Sequence, residues 1–410
     1  MLRPVANSRA RSLAFAALGR LRHGRLEVVE GGRRRIFGPA GADLRAEVRV
    51  LDPSFWPSLG RGTVGLAERW MDFAWGCDDL VSLGRMFVRE LPALDRVRRL
   101  LAPLQQAARL IPRNTRAGAR RNVAAHYDLG NELFGLFLDE TMTYSCALFE
   151  WPGATLREAQ EAKLDLACRK LELRPDDHLL EIGTGWGSLA IHAASRYGCR
   201  VTTTTISRAQ HELAERRVRE AGLADRVTVV LEDYRDLSGR FDKLVSIEMI
   251  EGVGWQYFDL FFRRCSELLA PDGLMLLQAI VIDDRAYEAE KASKSFANTY
   301  VFPGGCLPSL AVIRRCVARR TDMRGLTLED ITAHYPETLR RWRERFLRRA
   351  EHAEVLGYDR RFRRLWELYL AGCQAGFLER RLCDVQLLLA KPAYRASGYA
   401  RVETAAPALA

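Results

Sequence analysis

The hydrophobic pattern of the chain changes character near residue 179. From there on, short apolar runs alternate with stretches in which apolar residues recur every three or four positions, the spacings of buried strands and of helices. This series predicts a mostly parallel sheet with helices on both faces, an α/β fold. The predicted strands are Leu179–Ile182, Val201–Ile206, Val227–Leu231, Leu244–Ile250, Leu274–Ile280 and Asp384–Ala390, and the predicted helices include Arg208–Ala221, Gln256–Leu269, Leu339–Leu356 and Arg361–Leu382.

The first third of the chain follows another pattern. Apolar residues among arginines predict an amphipathic helix over Arg9–Arg25, and short strands are predicted at Leu26–Val29 and Glu47–Val50. A further helix, Arg96–Arg121, runs into a basic linker. We therefore expect a smaller basic α+β domain with its linker over residues 1–121, a larger α/β domain over 122–395 and a disordered tail over 396–410.

Positive charge is concentrated in the smaller domain. Residues 1–122 contain 23 arginines, no lysine and 11 acidic residues, whereas the rest of the chain is close to neutral. This asymmetry predicts a polyanionic partner, either anionic lipid headgroups or nucleic acid. A solvated arginine-rich surface without a partner is the alternative interpretation.

Secretion and membrane insertion are not indicated by the sequence. No apolar run approaches the roughly 20 residues that a spanning helix needs, and the N-terminus lacks the pattern of a signal peptide. The nine cysteines are scattered without a CxxC pair, which predicts reduced thiols and no metal site. The expected location is the cytoplasm.

A glycine-rich turn follows the first strand of the larger domain. Gly183–Gly187 has the spacing GxGxG, which lets a backbone turn tightly and approach a ligand. Glu181 precedes it, and the next strand ends in Thr205–Ser207 without the acidic residue that a dinucleotide enzyme uses for ribose. Glu232 and Asp233, after the third strand, are suited to accept hydrogen bonds from an adenine amino group. These features favour S-adenosylmethionine.

Several further motifs occur in order along the chain: His126–Phe134, Tyr144–Ala147, Thr205–Gln210, Asp233–Leu237, Phe302–Ser309, Trp342–Phe346 and Cys373–Phe377. With them, roughly residues 122–392 resemble the cyclopropane-fatty-acyl-phospholipid synthase family, which includes the mycolic acid cyclopropane synthases. The resemblance implies a Rossmann-like methyltransferase domain with a mostly parallel seven-stranded sheet.

The resemblance also implies two binding sites. Residues matching the family's S-adenosylmethionine site are Tyr144, Ser145, Gly183, Gly185, Thr205, Ile206, Gln210, Glu232 and Asp233. The family binds a bicarbonate ion as the general base, and the matching ligands are the backbone of Cys146 and the side chains of Glu251, Tyr335 and Gln278. Position 278 is usually histidine in the family, and Gly252 also replaces a frequent histidine. Cys373 is a further catalytic candidate, with a small packing residue as the alternative.

The implied reaction explains these residue types. An alkene attacks the sulfonium methyl group, a carbocation forms on the acyl chain, and a base removes a proton in a dry pocket. The predicted product is a cyclopropane on an unsaturated phospholipid acyl chain, with Tyr300, Phe302 and Trp255 as candidates to stabilise the cation. Because an amide at position 278 cannot take a proton, a methyl-branched unsaturated chain is the alternative product.

The expected partners are unsaturated phospholipids at an anionic membrane surface, with the enzyme bound peripherally to the inner face of the membrane. A nucleic-acid methyltransferase is an alternative from another class, but the basic third contains no recognisable nucleic-acid-binding motif. A non-catalytic lipid-binding protein is disfavoured because the cofactor positions are intact. The sequence leaves the oligomeric state open, with a homodimer as one option.

Overall fold

The computed structural model describes residues 2–92, 95, 114–116, 118, 119, 121, 122, 130–291 and 293–395. Its strands are β1 (Arg25–Glu30), β2 (Arg33–Phe37), β3 (Arg45–Val50), β4 (Trp75–Cys77), β5 (His178–Ile182), β6 (Arg200–Thr205), β7 (Val227–Leu231), β8 (Phe241–Ile247), β9 (Leu269–Ile282), β10 (Arg324–Asp330) and β11 (Leu382–Ala390). Its helices are Leu2–Leu18, Phe55–Ser58, Gly62–Met71, residues 80–92, Asn131–Gly135, Leu156–Lys170, Ser188–Tyr197, Arg208–Glu220, Phe258–Leu268, Tyr287–Lys291, Leu310–Arg320, Tyr335–Arg348, Ala350–Val355 and Arg360–Leu378.

The larger sheet has seven strands in the order β10-β11-β9-β8-β5-β6-β7. The strands β9, β8, β5, β6 and β7 are parallel to one another, and β11 is antiparallel to both β9 and β10. This arrangement confirms the predicted α/β fold with a mostly parallel seven-stranded sheet. Strand β10 was not predicted. All seven of its residues are exposed, so it lacks the buried apolar face by which a strand is recognised in a sequence.

Several predicted boundaries of the larger domain are wrong, among them the start of β9, which is Leu269 and not Leu274. Strand β8 ends at Ile247 and not at Ile250, because Glu248 turns the backbone with a φ of +48°. The predicted helix Leu339–Leu356 is two helices that meet at Arg349, whose dihedrals are not helical. The predicted helix Arg361–Leu382 ends at Leu378, and Leu382 already pairs with β9.

The N-terminal region is a four-stranded sheet in the order β2-β1-β3-β4, packed against helices. The smaller α+β unit is therefore present, with two strands that were not predicted, β2 and β4. Its first helix spans Leu2–Leu18, not Arg9–Arg25, because Arg25 belongs to β1 and pairs with β3. The predicted helix Arg96–Arg121 lies mostly outside the described residues, and the tail 396–410 and the segment 123–129 lie wholly outside them.

The helix Arg360–Leu378 joins the two sheets. Its residues Leu368 and Ala371 belong to the apolar core of the N-terminal region. The guanidinium carbon of Arg364 lies 3.5 Å from the ring centroid of Trp70, Nε of Arg364 donates to the carbonyl of Trp70 (2.6 Å), and the indole N–H of Trp70 donates to the carbonyl of Arg364 (2.8 Å). The two regions therefore pack directly on each other, while a domain boundary at residue 121 stays a prediction. Among the described helices, none has the length and apolarity to cross a bilayer.

Candidate active site

The glycine-rich turn opens at the carboxyl end of β5. Gly183, Gly185 and Gly187 have φ values of +107°, +52° and +86°, conformations that favour glycine. A Cβ placed on Gly185 would meet no atom within 4 Å, so open space borders the turn there. On Gly183 a Cβ would lie 3.2 Å from Cβ of Met249, which follows β8. The turn therefore borders space on one side and the end of the neighbouring strand on the other, where open α/β sheets bind ligands.

The other predicted cofactor residues lie at the ends of the adjacent strands. Thr205 ends β6, and its hydroxyl donates to the side-chain oxygen of Gln210 (2.8 Å); Ile206 follows Thr205 directly. Beyond β7, Glu232 is half-buried, and both carboxylate oxygens of the buried Asp233 accept hydrogen bonds from Arg235 (2.6 and 2.8 Å). The sheet order thus brings three of the predicted segments to one edge, and Asp233 is held there by its own arginine.

Tyr144 and Ser145 approach through the loop before the helix Leu156–Lys170. The Tyr144 hydroxyl lies 3.1 Å from that of Tyr369. The hydroxyl of Ser145 accepts a hydrogen bond from the ammonium group of Lys163 (2.7 Å), a side chain only 1% exposed. Burial lowers the pKa of Lys163, and nearby acids oppose that shift. A buried lysine therefore lies directly behind the loop that carries the predicted cofactor residues Tyr144 and Ser145.

Three of the four predicted bicarbonate ligands converge on one point, and that point is the carboxylate of Glu248. Its Oε1 accepts hydrogen bonds from the backbone N–H of Cys146 and from Nε2 of Gln278, both at 2.8 Å. Its Oε2 accepts from the hydroxyl of Tyr335 at 2.5 Å. The donors that the family resemblance assigns to bicarbonate are thus engaged by a side chain of the protein, and the residues present do not fit a separate ion at this place.

The fourth predicted ligand, Glu251, lies in the turn after β8 without joining these donors. Its Oε1 accepts the backbone N–H of Ile280 (2.5 Å), and its Oε2 is buried without a hydrogen-bond partner among the described residues. Burial, reinforced by the charge of Glu248, raises the pKa of Glu251 to about 8. The raised pKa favours the neutral form of Glu251 near pH 7.

The fully buried Asp384 and the half-buried Glu248 are acids that the sequence did not single out. Gln278 Nε2 donates to Oδ2 of Asp384 (2.9 Å) as well as to Glu248, and its Oε1 accepts from Gln386 (3.0 Å). Burial and the nearby Glu248 and Glu251 raise the pKa of Asp384 well above its ordinary value, which favours its neutral form. One signal was available: Glu248 lies three residues before Glu251, directly after an apolar strand.

Cys373 and the aromatic candidates occupy different surroundings. Burial raises the pKa of the Cys373 thiol to about 12, and the thiol is hydrogen-bonded to Tyr369, so its catalytic role stays a prediction. Phe302 packs edge-on to Tyr369 with ring centroids 5.9 Å apart, close to Tyr144. By contrast, the Tyr300 hydroxyl donates to Glu68 in the N-terminal region, and the ring of Trp255 already faces the Lys291 ammonium group at 4.9 Å.

Comparison with known proteins identifies the family of the chain. The family model described as mycolic acid cyclopropane synthetase matches residues 114–387. The chain belongs to this family. It is 40% identical over 329 residues to the tuberculostearic acid methyltransferase UfaA1 of Mycobacterium tuberculosis, covering 78% of this chain and 77% of that protein. It is 37% identical over 353 residues to the cyclopropane-fatty-acyl-phospholipid synthase of Escherichia coli, covering 83% and 86%.

Solved structures of the mycolic acid cyclopropane synthetase family superpose on the same region. The mycolic acid cyclopropane synthase CmaA1, complexed with SAH and CTAB, aligns with a TM-score of 0.62 and 32% identity over 66% of this chain and 98% of that chain. The chain is therefore an S-adenosylmethionine-dependent methyltransferase with the fold of these enzymes.

Proposed function

We propose that the enzyme transfers the methyl group of S-adenosylmethionine to the cis double bond of an unsaturated phospholipid acyl chain and closes it to a cyclopropane. The observation that carries this proposal is a cluster of buried and half-buried acids beside the glycine-rich turn. Glu248 directly follows β8, its neighbour Met249 borders Gly183, and the Cys146 N–H that it binds follows the predicted cofactor residue Ser145. A proton acceptor next to predicted cofactor residues supports the proposal.

The reaction requires the protein to position the alkene beside the sulfonium methyl group, to exclude water and to supply a base. The alkene π electrons form a bond to the methyl carbon, the carbon–sulfur bond breaks toward sulfur, and S-adenosylhomocysteine leaves. A C–H bond of the transferred methyl then breaks, its electrons close the ring on the neighbouring cationic carbon, and the base takes the proton. Buried aromatic side chains around Tyr144, including Phe134, Phe137 and Trp342, exclude water that would trap the cation.

A methyl-branched unsaturated chain is the second candidate product. The amide of Gln278 in place of the usual family histidine favours it, as does the 40% identity to a tuberculostearic acid methyltransferase. The two reactions share every step up to the cation. They differ only in whether the proton leaves the transferred methyl group or the acyl chain.

A cofactor with a fully deuterated methyl group distinguishes the products. Purified enzyme is incubated with vesicles of an unsaturated phospholipid, and the modified acyl chain is isolated for mass spectrometry. We expect two deuterons, because ring closure removes one hydrogen from the transferred methyl group. Three retained deuterons would contradict cyclopropane formation and establish the methyl-branched product. Boiled enzyme and a saturated phospholipid serve as controls.

The proposed phospholipid substrate is consistent with a membrane-binding role of the basic N-terminal region. Arg33 and Arg35 lie on β2, an exposed edge strand, and the apolar side chains of Leu13 and Ile36 in the same region are 73% and 47% exposed. Exposed arginines and exposed apolar side chains in one region suit an anionic lipid surface. We propose that this region binds phospholipid headgroups at the inner face of the membrane.

A further inference from the structure

The backbone of Glu248 has a conformation that a residue with a side chain avoids. Its φ of +48° lies in the left-handed region, where a Cβ comes too close to the following carbonyl oxygen. Glycine would adopt this conformation without cost. The surrounding structure nevertheless keeps a glutamate here, with its backbone N–H bonded to the carbonyl of Gln278 (2.9 Å). Strain of this kind concentrates at functional positions.

Three donors from three separate segments meet the Glu248 carboxylate. They come from the loop at Cys146, from β9 at Gln278 and from the start of the helix at Tyr335. The orientation of the Gln278 amide is fixed as well, because Gln386 donates to its oxygen and leaves both of its N–H groups for the acids. Three hydrogen bonds hold the Glu248 carboxylate in one position and favour its ionised form, against the larger effect of burial.

We propose that the Glu248 carboxylate is the general base of the reaction, and that this enzyme carries in its own chain the carboxylate that the family resemblance assigns to bound bicarbonate. The inference rests on the proposed function. The C–H bond of the cationic intermediate breaks, its electron pair closes the new carbon–carbon bond, and the proton moves to an Oε atom of Glu248. Tyr335 and Gln278 are positioning residues that hold this carboxylate.

The charges around Glu248 suit this role. Burial raises its pKa, and the bonds from Tyr335 and Cys146 and the charge of Lys163 oppose that shift, which leaves a carboxylate more basic than one in water. The neighbouring acids Asp384 and Glu251 both have raised pKa values. The raised pKa values favour the neutral forms of Asp384 and Glu251, and the nearby Lys163 favours the anion at Glu248.

The first test removes the base while keeping its shape. Glu248→Gln should lower turnover at least about 100-fold, the usual contribution of a general base, while calorimetry shows unchanged S-adenosylmethionine affinity. Glu367→Gln, a half-buried glutamate on the helix Arg360–Leu378, is the matched control and should keep turnover. Turnover of Glu248→Gln within about threefold of the unmodified enzyme would overturn the proposal.

The second test asks whether bicarbonate is needed. The unmodified enzyme should turn over equally in bicarbonate-depleted and bicarbonate-supplemented buffer, and a dependence on bicarbonate would overturn the proposal. Glu248→Gly relieves the left-handed backbone and frees the three donors, so it should be inactive in depleted buffer and regain turnover when bicarbonate is added. Activity of this variant in depleted buffer would also contradict the role of Glu248. If the unmodified enzyme modifies no acyl chain, it is the proposed function that fails.

Discussion

Both the N–H groups and the oxygen of the Gln278 amide are hydrogen-bonded, and this side chain affects the pKa of Glu248. Its N–H groups donate to Glu248 and Asp384, and its oxygen accepts from Gln386. The hydrogen bond from Gln278 lowers the pKa of Glu248, against the larger raising effect of burial. Removing that donor destabilises the ionised form, so the pKa of Glu248 must rise.

Gln278→Met should therefore move the rate profile along the pH axis. The base must be ionised to act, so turnover increases as the pH rises through its pKa, and a higher pKa displaces this increase to higher pH. The measurement is turnover against pH at saturating cofactor for both proteins. S-adenosylmethionine affinity should stay unchanged, and an unshifted profile would show that Gln278 does not act on the base.

Another buried acid, Glu181, couples folding to pH. Burial raises its pKa to about 8, although the Thr203 hydroxyl donates to it at 2.6 Å. Between its ordinary pKa of 4.5 and about 8, the folded protein holds a proton that the unfolded chain has released, so stability falls as the pH rises.

Glu181→Gln should remove this part of the pH dependence. Over two pH units one such proton is worth on the order of 2 kcal/mol, so the free energy of unfolding of the variant should fall less between pH 5 and pH 7 than that of the unmodified protein. Denaturant titrations of the cofactor-free proteins at both pH values measure the difference. Parallel decreases in the two proteins would contradict the assignment of the buried proton to Glu181.

At the scale of single residues, sequence could identify the donors but not their acceptor. Tyr335, Gln278 and Cys146 belong to motifs, and the structure does bring them together. Glu248 is defined as their partner by a backbone angle and a side-chain direction, which no pattern of residue types encodes. The same holds for Asp384, which reaches Gln278 because β11 pairs with β9 in one particular register.

At the scale of elements, the helix Arg360–Leu378 contributes to two cores at once. Its Trp366 and Leu370 pack with the aromatic core that contains Phe134 and Trp342, whereas Leu368 and Ala371 pack with the N-terminal core. Arg364 fixes the second contact, since it donates to the carbonyls of Trp70 (2.6 Å) and Trp75 (2.9 Å). Helical periodicity predicted this element, but its two-sided burial depends on a partner far away in sequence.

Arg364→Ala should destabilise the protein by about 2–3 kcal/mol, because two carbonyls lose their donor and the cation leaves the Trp70 ring. Arg361→Ala is the matched control on the same helix. Its exposed pair with Asp72 (3.3 Å) is worth about 0–1 kcal/mol. Thermal unfolding followed by circular dichroism compares them, and equal losses would show that the Arg364 contacts contribute no more than a surface pair.

At the scale of the whole molecule, the basic surface and the candidate active site lie in different regions. The basic surface lies in the N-terminal region, whereas the buried acids lie at the centre of the seven-stranded sheet. Sequence predicted both the parallel sheet and the basic third, because apolar periodicity and arginine counts are properties of the chain itself. How the two regions pack was not predictable, since that depends on contacts such as Trp70 with Arg364.

Vesicle binding should depend on the arginines of β2. Arg33→Glu/Arg35→Glu should weaken binding to vesicles that contain anionic lipid, and added salt should weaken binding of the unmodified protein by screening. Arg314→Glu/Arg319→Glu, on an exposed face of the helix Leu310–Arg320, makes the same change of charge and should have the smaller effect. Vesicle sedimentation measures both, and equal binding to neutral and anionic vesicles would rule out this role.

The long-range position of the helix Arg360–Leu378 has a consequence for synthesis on the ribosome. Trp70 and its partner Arg364 are 294 residues apart. At a synthesis rate of about 5–20 residues per second, the side chains that complete the N-terminal core are made some tens of seconds after the N-terminal sheet. Gln386, the hydrogen-bond partner of Gln278, is likewise synthesised 108 residues after it. The nascent chain therefore exposes an unfinished apolar surface next to its arginines during that interval, and the base acquires its final setting only when β11 emerges.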